Sequence, residues 1–494
     1  MGILLWPGGQ VQTQKYMLNP HTAEDLQLDG LCKAMTFNNY YKLTVQELGK
    51  LWTVDPSVIA YRQAVLRDIL NNPTLEATLD GLLDSIDTWE THSGRASRGR
   101  DEKNQALDLW DFSFLDAYIQ KVEALDKTLS DMHFSSEGLM AFRERVHGLA
   151  KSQRFTAVRD AFRNDCGGST LPSRITIGFN LSENLKPVSL KLMRIPEKGE
   201  KGRRMSLTPS AFQMTRQILG KALSEAGRSI SGFVRQESME LRSVKQDIIF
   251  YLSALHLRRS WEERGLKSCV PEIRSREEKA FRTEEMFSPL LVIHGAEKIV
   301  TNGVEFREGG ELLILTGANQ GGKTVFLHSV ALTQWLFQLG IMVPCASAAI
   351  SPVEQVLTVF APTVLSSSAG KSMGLLSEEA GRIADAVEHL SENCMVLFNE
   401  PLNATSPMEN LYISQEVIGA FKAAGARGVW VTHLYELASD RERVNQLIPW
   451  GSVLGSIRIV VETDDTGTHS TYHIVRGEPE FKSYAAEVMR RKGV

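Results

Sequence analysis

The sequence has few cysteines and no long apolar run, and each absence excludes a class of protein. Its 494 residues include five cysteines, which are scattered and form no C-x-x-C pair. A disulfide framework or a structural zinc site is therefore not expected. No stretch is apolar and long enough for a membrane span, and the first residues lack the basic segment of a signal peptide. We therefore expect a cytoplasmic protein with no membrane partner.

Strong net charge is also lacking. The formal net charge is −4, with 23% charged and 43% hydrophobic residues, which is ordinary for a folded protein. Any contact with nucleic acid must then come from a local basic patch rather than from the overall field. A chain of this length is too long for one hydrophobic core, so two or more domains are expected.

The clearest motif that is present is a glycine-rich turn between a buried strand and a helix. Four apolar residues, 312–315, precede residues 317–324, which fit G-x-x-x-x-G-K-[ST]. Glycines let the backbone wrap round an anion, and the amides at the helix start attract it. Lys323 is expected to hold the β- and γ-phosphates of ATP, and the Thr324 hydroxyl to ligate Mg²⁺. The predicted nucleotide-binding residues here are Gly317, Asn319, Gly321, Gly322, Lys323 and Thr324.

The first half of the chain has helical periodicity with one β insertion. Alternation of apolar and polar residues over 175–181 and 188–192 predicts a β-hairpin. Residues 233–261 have few helix breakers and are expected to form one lever-like helix of about 40 Å. The expected domains are an unassigned segment 1–40, a helical domain 41–275 with its β insertion near 173–205, and an α/β domain 285–494.

A basic segment follows the predicted hairpin. Six Lys and Arg residues lie between 191 and 204, with Glu197 and Glu200 among them. Such a segment can hold DNA phosphates with salt-sensitive, sequence-independent affinity, although a charge run is more often a solvated loop. The candidates for DNA contact are Lys191, Arg194, Lys198, Lys201, Arg203 and Arg204.

The second half alternates strands and helices, the order of an α/β fold with a mainly parallel sheet. An apolar strand ends in Asn399 and Glu400, and the next ends in His433. In phosphate-loop ATPases the first of these strands ends in an Asp that supports Mg²⁺ and a Glu that activates water. Glu400 is therefore the predicted base, Asn399 offers Mg²⁺ only a neutral oxygen, and His433 is suited to contact the γ-phosphate. In isolation, an exposed strand-end acid and a structural histidine would be the ordinary interpretations.

These motifs together resemble the ATPase domain of the MutS family of DNA mismatch repair proteins, which is an ABC-type ATPase domain. Residues 316–324 resemble the family's TGxNxxGKS/T loop, and residues 370–372 its serine-bearing signature segment. Residues 396–406 resemble the Walker B strand and its following loop, residues 431–437 the histidine switch, and residues 481–485 the serine-tyrosine segment near the domain's end.

The resemblance has implications for fold, cofactors and partners. The predicted fold is an α/β phosphate-loop ATPase domain of ABC type, C-terminal to a mainly helical core and lever domain with a small hairpin insertion. ATP and Mg²⁺ are the implied cofactors. The implied assembly is a homodimer in which Ser372 closes the nucleotide of the opposite subunit and which clamps double-stranded or branched DNA. A MutL-like protein is a further implied partner, and the protein would lie at the nucleoid when on DNA.

Departures from the family pattern modify this prediction. No Phe-x-Glu mismatch-probing motif precedes the helical half, so recognition of DNA shape or branched structures is expected rather than of single mispairs. Ile299 stands where the family has an aromatic that stacks on adenine, which leaves Asn302 as the matching nucleotide contact. Asn399 replaces the Walker B Asp, so hydrolysis is expected to be slow. The alternative is a nucleotide-gated scaffold that does not hydrolyse ATP and binds a protein or RNA assembly.

Overall fold

The structure is a computed structural model, and it describes residues 2–9, 19–38, 40–97, 110–166, 176–181, 187–194, 229–307, 310–317, 321–360, 374–403, 405–464 and 467–479. The chain forms two compact units. The first comprises Met1–Val11 and Asp68–Ile249, and the second comprises Gln12–Arg67 and Phe250–Val494. No helix in these ranges combines the length and the apolar character that a bilayer crossing requires.

Helices account for most of the regular structure. In chain order the named helices are α1 (Pro20–Asp25), α2 (Leu28–Met35), α3 (Val45–Leu51), α4 (Pro56–Asn71), α5 (Pro73–Ser97), α6 (Trp110–Ser130), α7 (Glu137–Lys151), α8 (Gln153–Cys166), α9 (Met239–Arg242), α10 (Lys245–Glu262), α11 (Pro289–Ile293), α12 (Lys323–Leu339), α13 (Leu375–Glu388), α14 (Pro407–Ala423), α15 (Tyr435–Ser439) and α16 (Arg441–Leu447). Residues 229–237 are also helical.

The strands are shorter and lie mostly in the second unit. They are β1 (Thr176–Leu181), β2 (Pro187–Arg194), β3 (Glu272–Ile273), β4 (Phe281–Met286), β5 (Asn302–Glu305), β6 (Leu312–Thr316), β7 (Ser347–Ile350), β8 (Gln355–Phe360), β9 (Cys394–Asn399), β10 (Arg427–Val431), β11 (Leu454–Asp464) and β12 (Gly467–Arg476).

The first unit is mainly helical, and its core contains a cluster of aromatic rings. The ring of Tyr118 on α6 meets Trp89, Phe155 and Phe233 edge-on, with centroid distances of 5.1, 6.1 and 6.3 Å. Edge-to-face packing at these distances adds to the stabilisation from buried area. The predicted hairpin is present, because β1 and β2 pair antiparallel, with Phe179 opposite Leu190.

The prediction of one lever helix over 233–261 was wrong. Helical structure is interrupted by turns at residue 238 and at 243–244, so only α10 remains as a long helix in this region. The hydroxyl of Ser243 donates to the carbonyl of Glu240 at 2.6 Å, and serine side chains that bind nearby carbonyls compete with helix hydrogen bonds. At 1.5 Å per residue, α10 spans about 27 Å.

The second unit contains a six-stranded sheet in the order β12-β11-β6-β10-β9-β8. Strands β11, β6, β10, β9 and β8 are parallel, and β12 pairs antiparallel with β11. Every residue of β6 and β10 is buried, as expected for strands covered on both faces. The mainly parallel sheet is thus confirmed, and it brings the carboxyl ends of β6, β9 and β10 to one edge.

The second unit includes Gln12–Arg67, and Thr53 and Arg62 of this segment contact the C-terminal end of α12. The side-chain amide of Gln338 donates to the carbonyl of Thr53 at 2.9 Å, and the amide of Thr53 donates to the carbonyl of Gln338 at 3.2 Å. The fully buried Arg62 donates to the carbonyl of Leu339 at 3.2 Å. These contacts satisfy backbone groups at a helix end, where carbonyls lack partners within the helix. The expected limits of 1–40, 41–275 and 285–494 did not foresee this grouping.

Candidate nucleotide site

The site begins where β6 turns into α12. Gly317 follows the strand with a φ of 152°, and Gly322 precedes the helix with a φ of 91°. A Cβ at Gly317 would lie 3.0 Å from the Ile459 side chain, and one at Gly322 would lie 3.2 Å from the ring of Tyr472. Both positions therefore require glycine for conformation and for space. Gly321 lies in the described part of the turn, whereas Asn319 lies outside the described residues.

Lys323 is a nearly buried cation at the first position of α12. Its side chain is 4% exposed, and Nζ lies 3.0 Å from the carbonyl oxygen of Gly317 and 3.3 Å from Oε1 of Glu400. Burial lowers the pKa of Lys323, and the charge of Glu400 opposes that shift. The ammonium group is therefore directed at the glycine-rich turn and is poorly solvated, so that an additional anion would stabilise it.

Glu400 follows β9 and connects Lys323 to His433. Its amide donates to the carbonyl of Val431 at 3.0 Å, and its Oε1 lies 2.7 Å from Nε2 of His433. Burial raises the pKa of Glu400, but hydrogen bonding to His433 and the charges of His433 and Lys323 outweigh it, so the pKa lies below its ordinary value. The carboxylate is thus held ionised. In the structure, His433 contacts the carboxylate of Glu400, and the sequence did not predict this contact.

The two residues predicted to support Mg²⁺ are in contact. The hydroxyl of Thr324 donates to Oδ1 of Asn399 at 3.2 Å. Within the described ranges, no group of three His, Cys, Asp or Glu side chains could hold a metal ion. Two neutral oxygens can hold Mg²⁺ only together with phosphate oxygens and waters, so this pair fits a metal that arrives with a nucleotide.

A cavity of about 600 Å³ lies over the turn, within the range of small-molecule sites. Its lining includes Asn302, Gly321, Gly322, Lys323, Thr324, Glu400 and Tyr472. The donors at the bottom of the cavity are an ammonium group, a hydroxyl and the amides at a helix start. This donor set fits a polyphosphate.

Tyr472 on β12 is a cavity residue that sequence reasoning missed. Its φ is 63°, its ring lies against Gly322, and it is 47% exposed. Asn302 holds this segment, because its side chain donates to the carbonyl of Tyr472 at 3.0 Å and accepts from the amide of Ile474 at 2.8 Å. No periodic pattern in β12 singles out this tyrosine, and the pairing of β12 with β11 at the edge of the sheet places its ring at the turn.

Helix α1 connects α12, which begins at this site, to α13. The side chain of Asp25, at the end of α1, forms an ion pair of 2.5 Å with Arg382 on α13. The carbonyl of Asp25 lies 2.8 Å from Nε2 of His328 on α12. Both side chains of the ion pair are less than 10% exposed. Helix α1 therefore fixes α13 against the helix that begins with Lys323.

Some predicted residues are not part of the described structure. Ser372 lies outside the described residues, and α13 begins three positions later at Leu375. Among the basic candidates, Lys191 and Arg194 are residues of β2. The candidates outside the described ranges are Lys198, Lys201, Arg203 and Arg204.

Comparison with known families covers both units. Residues 313–494 match the family model of MutS domain V, and residues 54–264 match that of the MutS2 N-terminal domain. The chain belongs to the MutS family. Domain V is the ATPase domain of MutS proteins, and its match begins at the second residue of β6. The pairing of these two domains agrees with a MutS-like protein that lacks the mismatch-binding domain.

Among the relatives of this MutS-family chain, some are named as MutS2 endonucleases and others as MutS mismatch repair proteins. "Endonuclease MutS2" of Geobacillus kaustophilus (strain HTA426) is 29% identical over 232 residues, or 47% of this chain and 27% of the relative. "Endonuclease MutS2" of Shouchella clausii (strain KSM-K16) is 24% identical over 308 residues, or 61% and 37%. "DNA mismatch repair protein MutS" of Synechococcus sp. (strain CC9605) is 28% identical over 232 residues, or 46% and 24%. The chain therefore matches well under half of each relative's length.

Proposed function

We propose that this MutS-family protein binds and hydrolyses ATP with Mg²⁺ in the cavity over residues 317–324, and that its nucleotide state controls DNA binding. The observation that carries the proposal is the connected set at one edge of the parallel sheet. Nζ of Lys323 lies 3.3 Å from Oε1 of Glu400, which lies 2.7 Å from Nε2 of His433. In the proposed fold, an ABC-type phosphate-loop ATPase, these positions surround the terminal phosphate.

Each residue has a distinct part in the proposed reaction. ATP supplies the phosphoryl group that is transferred to water, and Mg²⁺ offsets the charge of its phosphates. Lys323 exchanges its contact with Glu400 for the phosphates, which releases the carboxylate. Glu400 then accepts a proton from the attacking water, while Nε2 of His433 keeps the carboxylate oriented. The pKa of Glu400 lies below its ordinary value, so the carboxylate is ionised at neutral pH. Loss of the Lys323 contact when the phosphates bind would raise this pKa and make Glu400 a stronger base.

The proposed partners follow from the family and from the names of the relatives. "Endonuclease MutS2" and "DNA mismatch repair protein MutS" favour double-stranded or branched DNA as the ligand and a role in repair or recombination. We extend the proposal to a homodimer closed by Ser372 of the opposite subunit, to a MutL-like partner and to a cytoplasmic, nucleoid-associated location. The basic candidates between 191 and 204 would supply the salt-sensitive part of DNA binding.

Steady-state phosphate release, measured with and without a four-way DNA junction, tests the proposal. The expected result is slow release that the junction stimulates and that Lys323→Ala abolishes. Loss of one charge-assisted contact of about 1.5–3 kcal/mol should weaken ATP binding roughly 10- to 100-fold. Release that persists in Lys323→Ala would assign the activity to a contaminant and refute the site.

A nucleotide-gated scaffold is the second candidate, and Asn399 is the observation that favours it. The amide oxygen beside the Thr324 hydroxyl replaces the carboxylate expected at the metal, so binding could persist after hydrolysis is lost. A scaffold should bind ATP through Lys323 and show no phosphate release with any DNA. Retention of a protein or RNA assembly only in the presence of ATP would then support this second function.

A further inference from the structure

Two cysteines of the second unit, which the proposed ATPase chemistry does not use, lie side by side. The sulfur atoms of Cys269 and Cys345 are 3.8 Å apart, although 76 positions separate the residues in the sequence. Cys345 is fully buried, whereas Cys269 is partly exposed. Cys269 is therefore the residue of the pair that lies nearer to solvent.

The main chain fixes this proximity. The carbonyl of Val343 accepts hydrogen bonds from the amides of both cysteines, at 3.2 Å from Cys269 and 2.9 Å from Cys345. The amide of Val343 in turn donates to the carbonyl of Cys269 at 2.8 Å. On the far side of Cys345, the amide of Ala346 donates to the carbonyl of Glu284 on β4 at 2.8 Å. Both cysteines are thus positioned by backbone hydrogen bonds rather than by side-chain packing alone.

The two thiols differ in acidity in the way a reactive pair requires. A hydrogen bond from Cys345 lowers the pKa of Cys269, against the effect of burial. The same hydrogen bond and burial raise the pKa of Cys345. By contrast, burial raises the pKa of Cys32 to about 12 and that of Cys394 to about 11. Because the thiolate is the reactive form, Cys269 is the nucleophile of the pair.

We propose that Cys269 and Cys345 form a redox-active thiol pair that a small disulfide, such as oxidised glutathione, converts to an intramolecular disulfide. The Cys269 thiolate attacks one sulfur of the oxidant and releases one glutathione thiolate. Cys345 then gives up its proton, attacks the sulfur of Cys269 and releases the second glutathione. Two protein thiols are oxidised and one small disulfide is reduced to two thiols. Forming the bond would bring the two sulfur atoms from 3.8 Å to the roughly 2.05 Å of a disulfide.

The disulfide would cross-link two segments of the second unit that lie far apart in the sequence. Cys269 lies on the segment that follows α10, and Cys345 lies six positions after the end of α12. Oxidation would therefore link the segment after the C-terminal end of α12, the helix that begins at Lys323, to the segment that follows α10. Cross-linking residues this far apart removes entropy from the unfolded state, so the oxidised protein should be more stable. The proposal does not depend on ATP hydrolysis.

Non-reducing peptide mapping of the full chain after treatment with oxidised glutathione tests the pair. The expected result is a peptide linked between Cys269 and Cys345, lighter than the two free peptides by two hydrogen atoms, together with a Tm higher by roughly 5 °C. Dithiothreitol should reverse both changes. Cys269→Ser and Cys345→Ser should each abolish them, and the matched control Cys32→Ser should retain them.

Three results would overturn the inference. One is that, after treatment of the folded wild-type protein, both thiols are still alkylated by iodoacetamide once the protein is unfolded in denaturant. Another is that Cys269 carries glutathione but no linked peptide forms, because Cys345 would then fail to resolve the mixed disulfide. The third is that linked peptides form equally between other cysteine pairs, which would indicate oxidation of unfolded chains.

Discussion

Asn399 is the residue on which the rate of the proposed reaction depends. Its Oδ1 lies 3.2 Å from the hydroxyl of Thr324, in the position where a carboxylate is expected. A carboxylate there would add a charged ligand for Mg²⁺. We expect Asn399→Asp to lower the Mg²⁺ concentration needed for half-maximal phosphate release roughly tenfold. This change corresponds to about 1.4 kcal/mol of additional Mg²⁺ binding free energy. Asn399→Ala is the matched control and should raise that concentration. An unchanged Mg²⁺ dependence in both variants would remove Asn399 from the metal site.

Tyr472 supplies an aromatic ring where the sequence offered only Ile299. Its ring lies against Gly322 at the wall of the cavity, so a nucleotide base can stack on it. Stacking on an aromatic side chain contributes about 1–3 kcal/mol per base. We expect Tyr472→Ala to weaken ATP binding about tenfold, and Tyr472→Phe to bind as the wild type does. Equilibrium titration with a fluorescent ATP analogue measures both, and equal affinity in all three proteins would contradict the assignment.

Glu400 gives the fold a specific pH dependence. Its pKa in the folded state lies below its ordinary value of 4.5, because its contacts with His433 and Lys323 outweigh burial. A depressed pKa means that the ionised form stabilises the fold, fully above the unfolded pKa and progressively less as the pH falls through the folded pKa. The difference in unfolding free energy between wild type and Glu400→Gln should be constant above about pH 5.5 and should shrink at lower pH. If the difference in unfolding free energy instead grew as the pH fell, the pKa of Glu400 could not be lowered in the folded state.

At the scale of elements, α1 stabilises the arrangement of α12 and α13. Asp25 is paired with the nearly buried Arg382, and removing one partner of a buried pair leaves an uncompensated charge that costs about 3 kcal/mol. Asp25→Asn should therefore lower the unfolding free energy by about that amount in urea denaturation. Asp29→Asn, at an exposed position of α2, should change it by less than about 0.5 kcal/mol. Similar values for both variants would show that the ion pair contributes little.

The elements around the turn were predictable from the sequence because their signals are local. The apolar residues of β6, β9 and β10 predicted buried strands, and a parallel sheet necessarily brings their carboxyl ends together. Contacts between segments that lie far apart in the sequence have no local pattern that could predict them. The bonds between Thr53 and Gln338 and the ring of Tyr472 at Gly322 depend on pairings that no local pattern encodes. The helix breaks at 238 and 243–244 occur in a segment whose apolar spacing is helical.

At the scale of the whole molecule, the chain crosses between its two units within α4 and within α10. In α4, Arg62 belongs to the second unit, and Asp68 belongs to the first, where it accepts from the amides of Ser135 and Ser136 at 2.9 and 2.8 Å. In α10 the crossing lies between Ile249 and Phe250. Both crossings therefore lie inside helices rather than in loops.

The nucleotide that the protein retains after incubation with ATP and Mg²⁺ tests the central claim most directly. Wild-type protein and Glu400→Ala are incubated, separated from free nucleotide and analysed by chromatography for ATP and ADP. The account predicts ADP on the wild type and ATP on Glu400→Ala, because the variant keeps Lys323 and loses the base. ADP on both proteins, or an absence of retained nucleotide on both, would contradict it.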